Sequence, residues 1–251
     1  MQNFFDPNEH ADILIPMYGK LHFFVLSLML AFIPLMIWKK KEVQKLVDNG
    51  KFIKGIAFVF LSTEALYWSM MWSFHYQPYY ERFPFHLCAT LSLMVPILLL
   101  TGKYETLRFI TFWAIGAGFI SLVNPSFLHD QPWNFGFIAY LIRHYLLFLI
   151  PIFLFIGKGY TFSYVLFLKS MFALMGYACI MFLANWAFNT NYMHLGPSNK
   201  LLIPFLPENL AVWPWTLPSF LVVGIIIFHL IYLIFYLSRN VNLQLHSDTL
   251  V

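Results

Sequence analysis

Residues Phe137 to Ile156 read FIAYLIRHYLLFLIPIFLFI, twenty residues in which only Arg143 and His144 are basic and none is acidic at neutral pH. A helix needs about 20 predominantly apolar residues to cross the hydrocarbon core of a bilayer. An arginine and a histidine at that depth are costly, so they are expected to face the interior of a helix bundle with partners or a function. Working outward from this run, six more apolar stretches can be traced. The seven together cover roughly 21–38, 53–73, 86–101, 106–123, 137–156, 163–188 and 217–238. The third is short for a full crossing and contains Pro96, which lacks the N–H of a regular helix and bends it. The sixth is long enough to tilt or to project beyond the bilayer. None alternates with a period of two, which excludes a membrane β-barrel. The expectation is an all-α, polytopic membrane protein with seven transmembrane helices in one integral membrane domain over residues 1–251.

Composition agrees. The chain has 251 residues, 60% hydrophobic and 10% charged, and its mean hydropathy is +0.70. A soluble domain carries about 25% charged residues. The net charge of +4 is spread over the ends of the apolar runs instead of forming one patch, which argues against a nucleic-acid partner. With only Cys88 and Cys179 there is no disulfide framework and no CxxC metal knuckle. The acidic and polar residues Asp6, Asn8, Glu9 and Asp12 stand where a signal peptide would be basic, so no cleavable leader is expected.

The Lys/Arg bias of short loops sets orientation. Lys39, Lys40, Lys41, Lys45, Lys51 and Lys54 follow the first run, and alternate loops add Lys103, Arg108, Lys158 and Arg239. The opposite side is richer in acids, which places the N-terminus outside and the C-terminus inside a multi-pass protein of the cell membrane. Trp72, Tyr76, Trp133, Tyr192, Trp213 and Trp215 gather in the outer loops, as an interfacial aromatic belt or as a lid or acyl-chain groove. The connection 189–216 is the longest on that side, and loops of such length are uncommon unless they have a role or are disordered.

Chemistry concentrates at Cys88 and His144, which the topology brings to the same side of the membrane. A thiol needs a base or a cationic neighbour to become a nucleophile; His144 is a candidate base, and later a candidate acid. The competing reading makes Cys88 a small core hydrophobe and His144 a hydrogen-bonding link between helices. Glu64, the one carboxylate well inside a run, either orients His144 or pairs with Arg143, the ion pair being favoured. Arg143 seeks an acid or a phosphate. His86 reads as an interfacial histidine, His22 as a polar neighbour, and Cys179 as helix packing. His86, Cys88, His144 and His194 all fall on the outer side, but no short ligand motif joins them, and neither a metal nor another cofactor is expected. No nucleophile elbow, phosphate loop or dinucleotide fingerprint is present.

Pro84, His86, Leu87 and Cys88 open the third run, Asn124-Pro125 leaves the fourth, and Arg143-His144 sits in the fifth. Asn191-Tyr192-Met193 lies in the long outer loop, and Trp213-Pro214-Trp215 precedes the last run. In this order, over nearly the whole chain, they resemble the YwaF family of bacterial integral membrane proteins, which is similar to eukaryotic transmembrane protein 164. The resemblance implies a seven-helix protein distantly related to the androgen-induced-gene-type membrane hydrolases, which use a Thr nucleophile and a His. It further implies an acyltransferase acting on phospholipid, with Cys88 and His144 at the positions of its Cys and His. Asn124, Asn191, Trp213 and Trp215 enter as supporting or substrate-binding residues on the same ground. The expected function is acyl transfer or acyl hydrolysis on membrane phospholipid at the outer leaflet. The alternative is a non-enzymatic transporter or lipid-binding protein with an outward vestibule.

Overall fold

The computed structural model describes residues 4–5, 18–74, 82–124, 134–197 and 207–247, the last nine of these by their backbone alone. Among these residues the architecture is helical. The chain divides into two compact units, residues 1–160 and 161–251, each taken by itself below.

The first unit holds α1 (Lys20–Trp38), α2 (Lys40–Asp48), α3 (Gly50–Ser73), α4 (Leu87–Thr101), α5 (Tyr104–Val123) and α6 (Phe135–Lys158). Helix ends follow local chemistry. The Asn49 side chain accepts from Lys51 N at 3.1 Å and Phe52 N at 3.3 Å and starts α3, and Asn134 accepts from Gly136 N at 2.6 Å to start α6. Such caps satisfy amide groups that have no partner in the first turn. Gly102 and Gly159 end α4 and α6 with φ of 68° and 64°, a left-handed conformation open to glycine.

The core of this unit runs through α3, α4, α5 and α6, with Phe60, Leu91, Val95, Ala114 and Leu147 almost inaccessible. The α5–α6 contact depends on a missing side chain. A Cβ on Gly118 would stand 2.7 Å from the His144 carbonyl oxygen and 2.7 Å from Phe148 N. The Tyr145 hydroxyl donates to the Val25 carbonyl and ties α6 to α1.

Helix α2 lies where the sequence suggests a basic loop. Val43 and Val47, one turn apart, are buried, while Lys39, Lys40, Lys41 and Lys45 are exposed. A nine-residue helix is marginal on its own; this one packs on α6, where a Cβ on Gly157 would collide with Val47.

The second unit holds α7 (Tyr164–Phe188), short 3₁₀ turns at Tyr192–His194 and Glu208–Leu210, and α8 (Thr216–Ser247). Ser163 Oγ accepts from Leu166 N at 3.1 Å to start α7. Just past its other end, the Asn185 side chain secures the chain: it donates to Tyr192 O and accepts from Tyr192 N and Thr190 Oγ1, all at 2.8 Å.

Each of the seven apolar runs forms a helix, displaced from its expected bounds by a few residues except at the longer end of α8. Five are long and apolar enough to cross a membrane by length and composition: Lys20–Trp38, Tyr104–Val123, Phe135–Lys158, Tyr164–Phe188 and Thr216–Ser238. Leu87–Thr101 is a shorter apolar helix, and the polar residues Ser62, Thr63, Glu64 and Ser69 dilute Gly50–Ser73.

Candidate functional site

The polar centre of the first unit is assembled from three helices. Arg143 of α6 meets Glu64 of α3 edge to edge: Nε donates to Oε1 at 2.8 Å and Nη2 to Oε2 at 2.6 Å. This two-pronged arrangement is the strong form of a carboxylate–guanidinium pair. Glu64 is wholly buried and Arg143 nearly so. Ser92 of α4 closes the group, with its hydroxyl 2.8 Å from Glu64 Oε2 and 2.9 Å from Ala89 O. The guanidinium carbon lies 4.3 Å from the ring centre of Tyr67, one turn along α3 from Glu64. The buried carboxylate therefore accepts three charge-assisted bonds, and the cation is covered by an aromatic face.

His144, the next residue on α6, points elsewhere, since neighbours on a helix diverge by about 100°. Its Nδ1 lies 2.8 Å from the Tyr140 carbonyl oxygen. A carbonyl only accepts, so Nδ1 carries the proton, and Nε2 of the neutral ring keeps a free lone pair. That nitrogen is buried and, among the described residues, has no hydrogen-bond partner. The ring is held against Tyr140, with centroids 4.0 Å apart, and the Tyr140 hydroxyl donates to Ser121 O at 2.6 Å. Tautomer, orientation and an open acceptor are thereby fixed together.

Cys88 is the second residue of α4 and is half-buried, packed beside the apolar core. Ser92 is one turn further along the same face, a rise of about 6 Å. The charges of both Arg143 and Glu64 act on the Cys88 sulfur. Cys88 is not hydrogen bonded to His144, because Nδ1 of that ring is committed to Tyr140 and Nε2 has no partner.

The remaining candidates are dispersed. His86 precedes α4, and its carbonyl accepts from Thr90 N at 2.9 Å. Asn124 ends α5, its N–H donating to Ile120 O at 2.8 Å. His22 is buried with both ring nitrogens engaged: Nδ1 accepts from Tyr18 N at 2.9 Å and Nε2 donates to Leu122 O at 2.8 Å. It is a structural link between α1 and the end of α5. Asn191, Trp213 and Trp215 belong to the second unit. There Asn191 Oδ1 accepts from Gly196 N at 3.1 Å, Trp213 stacks on Phe182 and Trp215 is exposed. Among the described residues no group of three His, Cys, Asp or Glu side chains is placed to hold a metal ion.

Ser92, Tyr67 and Tyr140 were not singled out by sequence reasoning. Each stands three or four residues from a residue that was, at the spacing that shares a helix face, so a periodicity rule applied to Cys88, Glu64 and His144 would have found them.

No curated protein and no solved structure matches the chain. Comparison with protein families, by contrast, matches residues 17–232 to the TMEM164 family. That stretch carries α1 to α7, most of α8, and the whole Glu64–Arg143–Ser92 group with Cys88 and His144 beside it. Over this length the chain belongs to the TMEM164 family.

Proposed function

We propose that this TMEM164-family membrane protein is an acyl-transfer enzyme acting on phospholipid, with Cys88 as nucleophile and His144 as general base. The carrying observation is the buried imidazole whose Nδ1 proton is fixed on Tyr140 while Nε2 offers a lone pair to no one. That is the state a general base needs before substrate arrives.

In the proposed reaction His144 Nε2 takes the Cys88 thiol proton as sulfur attacks an acyl ester carbonyl. The tetrahedral intermediate expels the lysolipid alkoxide, which receives the proton from His144, and a thioester remains on Cys88. A lipid hydroxyl then attacks the thioester, with His144 again accepting its proton and returning it to sulfur. Water in place of that hydroxyl gives hydrolysis. Arg143, bonded to Glu64, which Ser92 also contacts, acts as a positioning group that ties α3, α4 and α6 together around the site. With two donor positions already on Glu64, Arg143 is assigned to this role in preference to a phosphate. Catalytic contacts in free enzymes are often long and tighten with substrate, which accommodates the absence of a thiol–imidazole hydrogen bond.

The same reading takes the seven apolar helices, α1 and α3 to α8, as spans, with the N-terminus outside, the C-terminus inside and the site near the outer leaflet of the cell membrane. His86 and Asn124, at the ends of α4 and α5, are assigned to the outer rim of the site, and Asn191, Trp213 and Trp215 to lipid contacts within the second unit. The likeness to YwaF proteins and to membrane hydrolases is read as shared ancestry. The transport alternative loses its motive, because Glu64 is occupied by Arg143 and Ser92 rather than available as a proton carrier.

The test is purified protein in liposomes with a phospholipid labelled in its acyl chain. Wild type should transfer or release label and carry a hydroxylamine-sensitive acyl group on Cys88; Cys88→Ala and His144→Ala should each lose activity by a factor of about 100 or more. Full activity in Cys88→Ala would end the proposal.

A further inference from the structure

Helix α2 and the start of α3 carry a charge excess that the acyl-transfer reading does not use. Residues 39–54 contain six lysines and two acids, Glu42 and Asp48. Basic residues also stand at the ends of other apolar runs, but outside this segment they are matched by an equal number of acids, so the net charge of +4 resides here. Lys39, Lys40, Lys41, Lys45, Lys51 and Lys54 are all exposed. None of them has a carboxylate partner among the described residues. Their position is set by α1 and α6, two helices long and apolar enough to cross a membrane. One residue separates α1 from α2, and Val47 of α2 packs against Gly157, next to the last residue of α6. With α1 and α6 as spans, α2 lies at a bilayer surface. Its apolar side chains, Val43 and Val47, are buried within the protein, and Lys41 and Lys45, one turn apart, take the opposite face.

We propose that α2, with Lys51 and Lys54 of α3, is a docking surface for the headgroups of anionic phospholipids in the leaflet it borders. The charges are complementary: unpaired ammonium groups meet phosphates that carry a net negative charge. A basic cluster beside a span attracts anionic lipid, each lysine near the surface contributing roughly a fivefold gain in affinity. Lysine presents a compact charge with three rotatable donors and imposes little geometry, which suits headgroups that exchange along a face. The neighbouring Trp38 favours lipid over an acidic protein as the occupant. It is 76% exposed at the junction of α1 and α2, where indoles settle at a membrane interface, and Lys39 Nζ stands 4.5 Å from its ring centre. The assignment requires α1 and α6 to cross the membrane. It depends neither on Cys88 nor on which side of the membrane α2 faces.

The test titrates the full-length protein in detergent with phosphatidylglycerol or phosphatidylcholine of the same acyl chains and counts bound lipids by native mass spectrometry. Wild type should bind phosphatidylglycerol several-fold more tightly, and raising the ammonium acetate concentration should shrink that advantage. Lys40→Gln/Lys41→Gln/Lys45→Gln should bring the two lipids close to parity. Arginine at the same three positions should keep the preference, as should Lys20→Gln at the other end of α1. Cys88→Ala should bind like wild type, which separates this result from the fate of the acyl-transfer proposal. Equal binding of the two lipids by wild type, or a preference that survives the triple glutamine substitution, would overturn the assignment. So would tighter binding of a hexaglutamate peptide than of phosphatidylglycerol, which would give the face to an acidic protein.

Discussion

Arg143 is tolerable in the core because Glu64 and Ser92 face it, and the dependence is mutual. Taking one partner from a buried ion pair strands the other charge, which costs about 3–5 kcal/mol, whereas replacing the pair by apolar residues is often neutral. Glu64→Gln and Arg143→Met should therefore each lower the unfolding temperature in detergent sharply. The double variant Glu64→Met/Arg143→Met should recover most of the loss, and additive losses would mean that the two do not act as a unit. Ser92→Ala removes one charge-assisted bond while leaving the pair intact, so it should cost less, about 1.5–3 kcal/mol. Single residues were the most legible part of the site in the sequence. Glu64 and Arg143 announce each other because an acid and a base inside apolar runs have few other ways to be satisfied. What the sequence hides is which neighbour a histidine chooses. His144 turns to the carbonyl of Tyr140, a backbone atom that every residue possesses and that no motif marks.

Helices in this protein approach as closely as their smallest residues allow, and glycines on helices divide accordingly. Gly118 lies against the α6 backbone, so Gly118→Ala forces α5 and α6 apart. Overpacking of this kind costs about 1–3 kcal/mol, and because the neighbour is the backbone of His144, activity should fall with stability. Gly176 has nothing within 4 Å of a Cβ; Gly176→Ala should be neutral or raise stability by up to about 1 kcal/mol through helix propensity. Thermal unfolding of the two variants side by side checks the contrast, and equal effects would show that close packing is not what Gly118 provides. Apolar run length located every long helix, because twenty greasy residues leave little choice of structure. It missed α2, whose apolar contribution is Val43 and Val47 alone. A stripe that short is indistinguishable from chance until α6 is there to receive it, and the lysines around it read as a loop.

Across the first unit, depth can be counted along two helices independently. Gly157 of α6 meets Val47, three residues before α3 begins, and Arg143 of α6 meets Glu64 of α3. From Gly157 back to Arg143, and from Gly50 forward to Glu64, the chain advances by the same number of residues, a rise of about 21 Å in each case. α3 thus runs beside α6 in the opposite direction, keeping pace with a helix that is apolar enough to span. Polar residues lower its hydropathy, but the costliest of them, Glu64, is paired with Arg143 of α6 and Ser92 of α4, while Thr63 and Ser69 bond to carbonyls of their own helix. The proposed seven-span topology takes α3 across the bilayer beside α6 and brings α4 back. In that topology Phe85, just before α4, lies outside, opposite Lys39, Lys40, Lys41 and Lys45. If α3 and α4 did not cross, Phe85 would share the inner side with those lysines. A cysteine in place of Phe85, which is exposed before α4, separates the two arrangements in a Cys88→Ser/Cys179→Ser background. A membrane-impermeant maleimide applied to intact cells should label Phe85→Cys and leave Lys45→Cys unlabelled until the membrane is opened. Protection of both positions in intact cells would reduce the count to five spans and place Cys88 on the inner side.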